Sequence, residues 1–340
     1  MAMKPLLRPL AVFLALLLAL PGHAQAPVGY AYYEVGDVAA KTPKPTAQAL
    51  MLMGGGEWDL GAFRWFAERA GNGHIVVLRA SGAGDAGEEI FRDVGGVLSV
   101  QTIVFSDRAA ASDPRVLDVL ARADGIFLAG GDQANYVRYW KDTPVARLLD
   151  AHVAKGRPIA GTSAGLAILG GTAYGAMDGG SIDSPSALAD PAGPGVTLVT
   201  GFLSMPRLAH VVTDTHFNAR DRLGRLIAFL AAARQTDAAV IGIGVDEQSA
   251  LCVEADGTAR LRTRNGGFAW LVRPRNKPVI ALGTPLDWSD VEVTGIGPDS
   301  RFDLESLRVG DPVFSGVARV VGGRLLDAPK APGVVTASLR

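Results

Sequence analysis

The chain has 340 residues, 48% hydrophobic, with 33 basic against 34 acidic side chains and a formal net charge of −1. That length suits one large α/β domain or a domain with an appendage, and the missing basic excess excludes a dedicated nucleic-acid binder. A single cysteine, Cys252, excludes an intrachain disulfide and, with few histidines, any assembled zinc pattern, so no metal and no cofactor is expected.

Residues 1–26, "MAMKPLLRPLAVFLALLLALPGHAQA", place Lys4 and Arg8 before an apolar stretch from Leu10 to Leu20 and small residues around Ala24 and Ala26. This is the layout of a secretory signal peptide. The stretch falls short of the roughly 20 residues of a membrane span, although a retained anchor is the competing reading. Cleavage after Ala24 or Ala26 would deliver a secreted or periplasmic protein with no membrane contact. Residues 26–46 then read as a lead-in with one edge strand.

From there, apolar runs alternate with amphipathic stretches. "AQALMLMGGG", "HIVVLRAS", "VQTIVF", "GIFLAGG" and "RPIAGT" predict strands. "DLGAFRWFAERAG", the broken "EEIFRDVGGVL", "PRVLDVLARA" and the pair within "YVRYWKDTPVARLLDAHVAKG" predict helices. Continuous apolar strands separated by helices indicate a doubly wound, mostly parallel α/β sheet covered on both faces. A Gly/Pro/Ser/Asp-rich loop follows over 175–195, of a length usually tied to function. Next come a helix over roughly 217–234 and the strand "AAVIGIGV". Beyond these the chain turns β-rich, with "DG" at 256–257 and "NG" at 265–266 marking hairpins. The expected division is an α/β domain over 27–285 and a β-rich C-terminal extension over 286–340. Cys252, in "ALCVEA", reads as a small buried hydrophobe.

Ligands of open α/β sheets bind at the carboxyl ends of the strands. Three glycine-rich stretches fall there: "GGGEWD" (54–59), "GGDQ" (130–133) and "GTSAG" (161–165). "GTSAG" suits a nucleophile elbow, in which a strand reverses sharply into a helix and holds Ser163 exposed in a strained turn that only small neighbours permit. The N–H of Ala164, with those of Gly131 or Asp132, would stabilise an oxyanion. A serine needs a base. His74 lies at the wrong end of its strand, His152 in a helix and His210 in a partly buried strand, which leaves His216 in "DTHFNARDR". Its orienting acid is Glu247, arriving from an independent strand, or Asp214, two residues away; Glu247 is preferred, with Asp214 as a substrate or supporting group. Arg222 and Arg225 share a helix face and would cradle a carboxylate, while Arg220 points elsewhere.

Together, "GGGE", "GGDQ", "GTSAG", "DTHFNARDRLGRL" and "GIGVDEQSAL" resemble the cyanophycinase group of the S51 serine peptidases, related to aspartyl dipeptidase (peptidase E), over residues 48–255. The resemblance implies a class I glutamine amidotransferase-like (flavodoxin-like) sheet with Ser163 as nucleophile, His216 as base and Glu247 as acid. It also implies that Gln133, Asp214, Arg222 and Arg225 line a pocket for an aspartyl unit. The implied substrate is cyanophycin, a poly-aspartate carrying arginine on its β-carboxyls, cut to β-Asp-Arg dipeptides, or else an aspartyl or isoaspartyl peptide. A homodimer is a further family expectation. Leu166 departs from the smaller residue usual after "GTSAG" and bears on which aspartyl bond is cut. An α/β-hydrolase esterase and a non-catalytic exported binding protein are the alternatives. The esterase fold orders its triad serine, acid, histidine, whereas here the acid comes last.

Overall fold

The computed structural model describes residues 29–332, so the expected signal peptide and both cleavage points lie outside the described residues. The first half alternates as the apolar pattern predicts: β1 (Tyr30–Gly36), β2 (Ala49–Met53), α1 (Leu60–Arg69), β3 (His74–Arg79), α2 (Ala86–Glu89), β4 (Ser99–Phe105), α3 (Pro114–Arg122), β5 (Gly125–Leu128), α4 (Gln133–Trp140), α5 (Pro144–Ala154), β6 (Ile159–Thr162) and α6 (Ala164–Ala167). Strands β4, β3, β5, β6 and β2 lie side by side in parallel, with β1 antiparallel on the outer edge of β4.

Strand β2 shows why both faces must be covered. All five of its residues are buried. Leu50 and Leu52 join the core with Val116, Tyr136, Trp140 and Leu149 of α3 to α5, while Met51 and Met53 join Phe63 and Phe66 of α1 on the other side. Side chains alternate across a strand, so an all-apolar strand requires helices on both faces, each buried Leu or Met contributing about 2 kcal/mol. Side-chain caps open α1, α3, α4 and α7. Asp59 accepts from Ala62 N–H at 2.7 Å, and Asp113, followed by Pro114, opens α3, contributions of about 1 kcal/mol each.

The second half departs from one continuous sheet. It contains β7 (Thr172–Tyr174), α7 (Ser184–Ala189), β8 (Leu198–Thr200), β9 (Val211–Asp214), α8 (Leu223–Ala233), β10 (Ile241–Val245), β11 (Ser249–Glu254), β12 (Thr258–Thr263), β13 (Ala269–Pro274), β14 (Trp288–Ile296), β15 (Arg301–Asp303), β16 (Arg308–Gly310), β17 (Phe314–Val321) and β18 (Arg324–Asp327). Strands β9 and β10 pair in parallel in a separate six-stranded sheet ordered β18-β17-β14-β13-β10-β9. Strands β11, β12, β15 and β16 extend the first sheet antiparallel beyond β2, making it ten-stranded. The chain therefore crosses between sheets at Asp246–Gln248. One face of β10 enters the same core as β6, through Ile241, Ile243 and Val245. Val212 of β9 and Val272 of β13 pack with α8 in a second core.

Residues from 286 onward belong to both sheets. β14 pairs with β13 over Ala269–Pro274, and β15 pairs with β12. The helix expected over 217–234 spans only Leu223–Ala233. His216 and Asp221 have positive φ, which winds the preceding residues into turns. His210 lies just ahead of β9, largely exposed and paired with Asp237, rather than in a buried strand. The 175–195 loop carries α7, which docks on α8 through Ser184 Oγ accepting from Arg225 N–H at 3.0 Å.

Candidate active site

Ser163 occupies the turn between β6 and α6 at φ 51°, ψ −121°. A non-glycine residue there costs on the order of 1–3 kcal/mol and persists only where its surroundings enforce it. The enforcement is close packing of α6 on the sheet. A Cβ on Gly165 would stand 2.1 Å from the Leu128 carbonyl oxygen, and one on Gly161 2.6 Å from that of Gly165. The small residues flanking the serine are thus required by the approach of backbone to backbone.

His216 and Glu247 reach Ser163 from the ends of β9 and β10. Ser163 Oγ lies 2.8 Å from His216 Nε2, and His216 Nδ1 lies 2.5 Å from Glu247 Oε1. Nδ1–H donating to the carboxylate leaves Nε2 as acceptor for the serine hydroxyl. The "GGGE" stretch holds this pair. His216 N–H donates to Gly54 O at 2.6 Å, and Gln248 N–H to Gly55 O at 2.8 Å. Gly55, at φ +103°, lies against the imidazole, where a Cβ would stand 2.4 Å from Cε1. Burial lowers the His216 pKa below the usual histidine value; the Glu247 bond opposes this, and Arg220 and Arg222 add to the lowering.

His74 and His152 are engaged elsewhere. His74 bridges Ser99 Oγ and Ala40 O, and His152 is buried against Pro158 O, its pKa lowered to about 4 by burial.

A cavity of about 430 Å³ opens over Ser163 and His216. Gly131, Gln133, Thr215 and Arg222 line it, with Gly179–Ser181 of the long loop forming a wall. Gln133 is held by donation from Nε2 to Tyr174 O at 2.5 Å. Burial lowers the Arg222 pKa to about 10, so it stays charged at neutral pH, and Nη1 donates to Thr215 O at 2.8 Å.

Several expected roles change. Asp214 and Arg225 do not line the cavity: both are buried and bound to each other, with Arg225 Nε to Asp214 Oδ2 at 2.8 Å and Nη2 to Oδ1 at 2.5 Å. The other Arg225 nitrogen, Nη1, donates to Ser181 Oγ and Ile182 O, tying α8 to the loop. The guanidinium is spent within the fold, so the expected pair of cradling arginines is reduced to Arg222, itself buried with Nη1 3.6 Å from Asp214 Oδ1. The exposed Arg220 and Arg138, by contrast, do line the cavity. Helical i,i+3 spacing misplaced these residues because α8 begins only at Leu223. The expected oxyanion donor Asp132 has its N–H committed to Ser81 Oγ at 2.8 Å, while its carboxylate caps α4. Leu166 is fully buried in the core and does not reach the cavity.

One positioning residue was missed. Asp246, next to Glu247, is buried and accepts from Asn218 N–H at 3.0 Å, Phe268 N–H at 2.9 Å and Trp270 Nε1–H at 2.9 Å. It clamps the segment after His216 to the strand end that presents Glu247. The adjacent acidic pair in "GVDEQ" was the available signal.

The family model of peptidase family S51 matches residues 85–261. The cyanophycinase of Synechococcus elongatus is 37% identical over 189 residues, 55% of this chain and 53% of that protein, so the chain spans about half the length of that relative. The cyanophycinase of Trichormus variabilis is 29% identical over 280 residues, 78% of this chain and 88% of its own length. Among solved structures, a peptidase from an acI-B1 Actinobacterium is similar with a TM-score of 0.49 at 16% identity, covering 76% of this chain and 97% of that one.

Proposed function

The chain belongs to peptidase family S51, and from that premise we propose that it is an exported serine peptidase that hydrolyses cyanophycin to β-Asp-Arg dipeptides. The observation that carries the reading is the unbroken chain from Ser163 Oγ through His216 to Glu247, at 2.8 and 2.5 Å. Ser163 attacks the scissile carbonyl while His216 Nε2 takes its proton. Glu247 steadies the imidazolium and later lets it return that proton to the leaving amine. The N–H groups of Gly131 and Ala164 receive the oxyanion, a contribution of about 3 kcal/mol per donor in serine peptidases. Arg222, with Arg138 and Arg220 at the mouth, neutralises carboxylates of the aspartyl substrate, and Gln133 orients it.

The volume of the cavity, about 430 Å³, favours a second reading in which free aspartyl or isoaspartyl dipeptides are the substrate. A hydrolysis screen across cyanophycin, β-Asp-Xaa and α-Asp-Xaa peptides and a p-nitrophenyl ester separates these readings. Release of β-Asp-Arg from polymer supports the first, and turnover of dipeptides alone supports the second. Ester turnover with no peptide cleavage overturns both.

A further inference from the structure

The far end of the ten-stranded sheet carries a second concave surface, of about 800 Å³, between α1 and the open face of β12, β15 and β16. Five arginines line it: Arg69, Arg260, Arg262, Arg301 and Arg308. Arg69 is spent on Glu254 in a two-pronged ion pair, Nε to Oε2 at 2.8 Å and Nη2 to Oε1 at 2.7 Å. The other four are exposed, and none forms an ion pair among the described residues.

The strand register explains their convergence. On β12 the burial alternates, with Ala259 and Leu261 inward and Arg260 and Arg262 outward. Ala259 faces Phe302 of β15, and Arg260 and Arg301 each adjoin that pair and line the same groove. Arg308 faces Asp303 across the next pair. The Asp303 carboxylate is occupied by its own turn, accepting from Ser306 N–H at 2.7 Å and Ser306 Oγ–H at 2.8 Å. Like charges placed opposite one another on a sheet are destabilising. Charge that merely blunts a sheet edge would sit along one strand, whereas these four arginines come from β12, β15 and β16 and converge on one concave face.

We propose that this groove binds an extended acidic polypeptide, whose carboxylates pair with Arg260, Arg262, Arg301 and Arg308. Alternate side chains of an extended chain repeat about every 6.7 Å, the spacing of Arg260 and Arg262 along β12. A strand-like run of aspartates therefore presents its acids in step with the arginines. Planar guanidinium forks match carboxylates in two-pronged pairs. The proposal stands without the peptidase reading, because binding needs no turnover.

The test uses the full chain carrying Ser163→Ala, titrated into fluorescein-labelled oligo-aspartate of about ten residues, which spans about 33 Å extended, and followed by anisotropy. Arg260→Ser with Arg301→Ser is expected to weaken binding about tenfold, and added salt to weaken it further. The charge-keeping pair Arg260→Lys with Arg301→Lys retains most of the affinity, which separates lost charge from lost fold. Arg147→Ser, exposed on α5 and outside both cavities, leaves the affinity within about twofold. Unchanged affinity in the serine double variant overturns the proposal. So does loss of binding through Arg147→Ser alone, or tighter binding of a single-stranded oligonucleotide of equal charge.

Discussion

The two sheets contribute to the candidate site in different ways. The ten-stranded sheet presents Ser163 from a single strained turn, held by backbone-to-backbone packing between α6 and β5. The six-stranded sheet presents His216 and Glu247 from the ends of two strands, and both segments then hydrogen-bond back to the glycines after β2. Nucleophile and base thus belong to different sheets that share one core, and the seam between them sets their 2.8 Å separation. A site built this way responds to damage at the seam even where each sheet stays intact.

The largest effect should follow from removing either reacting partner. Ser163→Ala and His216→Ala are each expected to lower kcat for dipeptide release on the order of 10⁵- to 10⁶-fold, with the double variant hardly worse than either, as for groups acting as one unit. Additive losses in steady-state kinetics would show that the two sheets act separately. Glu247→Gln comes next, at about 10³- to 10⁴-fold. The amide can donate to Nδ1 and so favours the tautomer whose Nε2 already holds a proton. Its signature is a fall in kcat at every pH, with KM little changed.

The parallel core was legible in the sequence because strands such as "ALMLM" are apolar throughout, and only a doubly covered sheet buries both faces. Ser163, His216 and Glu247 were legible for a different reason, since small residues, a sole well-placed histidine and a strand-end acid are each unusual. The division into two sheets was not legible. "AAVIGIGV" reads the same in either sheet, and the crossing depends on tertiary contacts of Asp246 with Phe268 and Trp270. The arginines failed for a local reason: Arg222 and Arg225, three residues apart, look like one helix face with Arg220 turned away until the start of α8 at Leu223 is known.

Two alanine substitutions sharpen the contrast between the sheets. Gly55→Ala aims its methyl at the His216 ring, 2.4 Å away, and forces the ring aside. Displacement by about 1 Å is worth about 10²-fold in rate, so activity falls, and the φ of +103° adds backbone strain of about 1–3 kcal/mol for alanine. Gly165→Ala instead meets the Leu128 carbonyl at 2.1 Å, where neither partner can yield, and overpacking of this kind costs about 1–3 kcal/mol of stability. Both midpoints fall, so kcat measured on folded protein, beside the midpoint, distinguishes them. A Gly55→Ala protein whose midpoint drops while its rate holds would remove the seam from the account.

The smallest effect concerns Arg220, exposed at the mouth of the cavity. An exposed pair with a substrate carboxylate is worth at most about 1 kcal/mol, so Arg220→Ser should raise KM for aspartyl substrates by no more than about fivefold and leave kcat at neutral pH nearly intact. Its sharper readout is pH. The positive charge of Arg220 disfavours protonated imidazole and is one of the causes that lower the His216 pKa. Removing that charge lets the pKa rise toward the ordinary histidine value. Only neutral His216 accepts the serine proton, so the acid limb of kcat/KM should move to higher pH in the variant, and activity near pH 5 should fall more than activity at pH 8. The same substitution at Arg64, exposed on α1 and outside the residues lining the cavity, should move neither quantity. An acid limb that stays in place in Arg220→Ser would mean that burial alone sets the base, and that the charges at the mouth serve only the substrate.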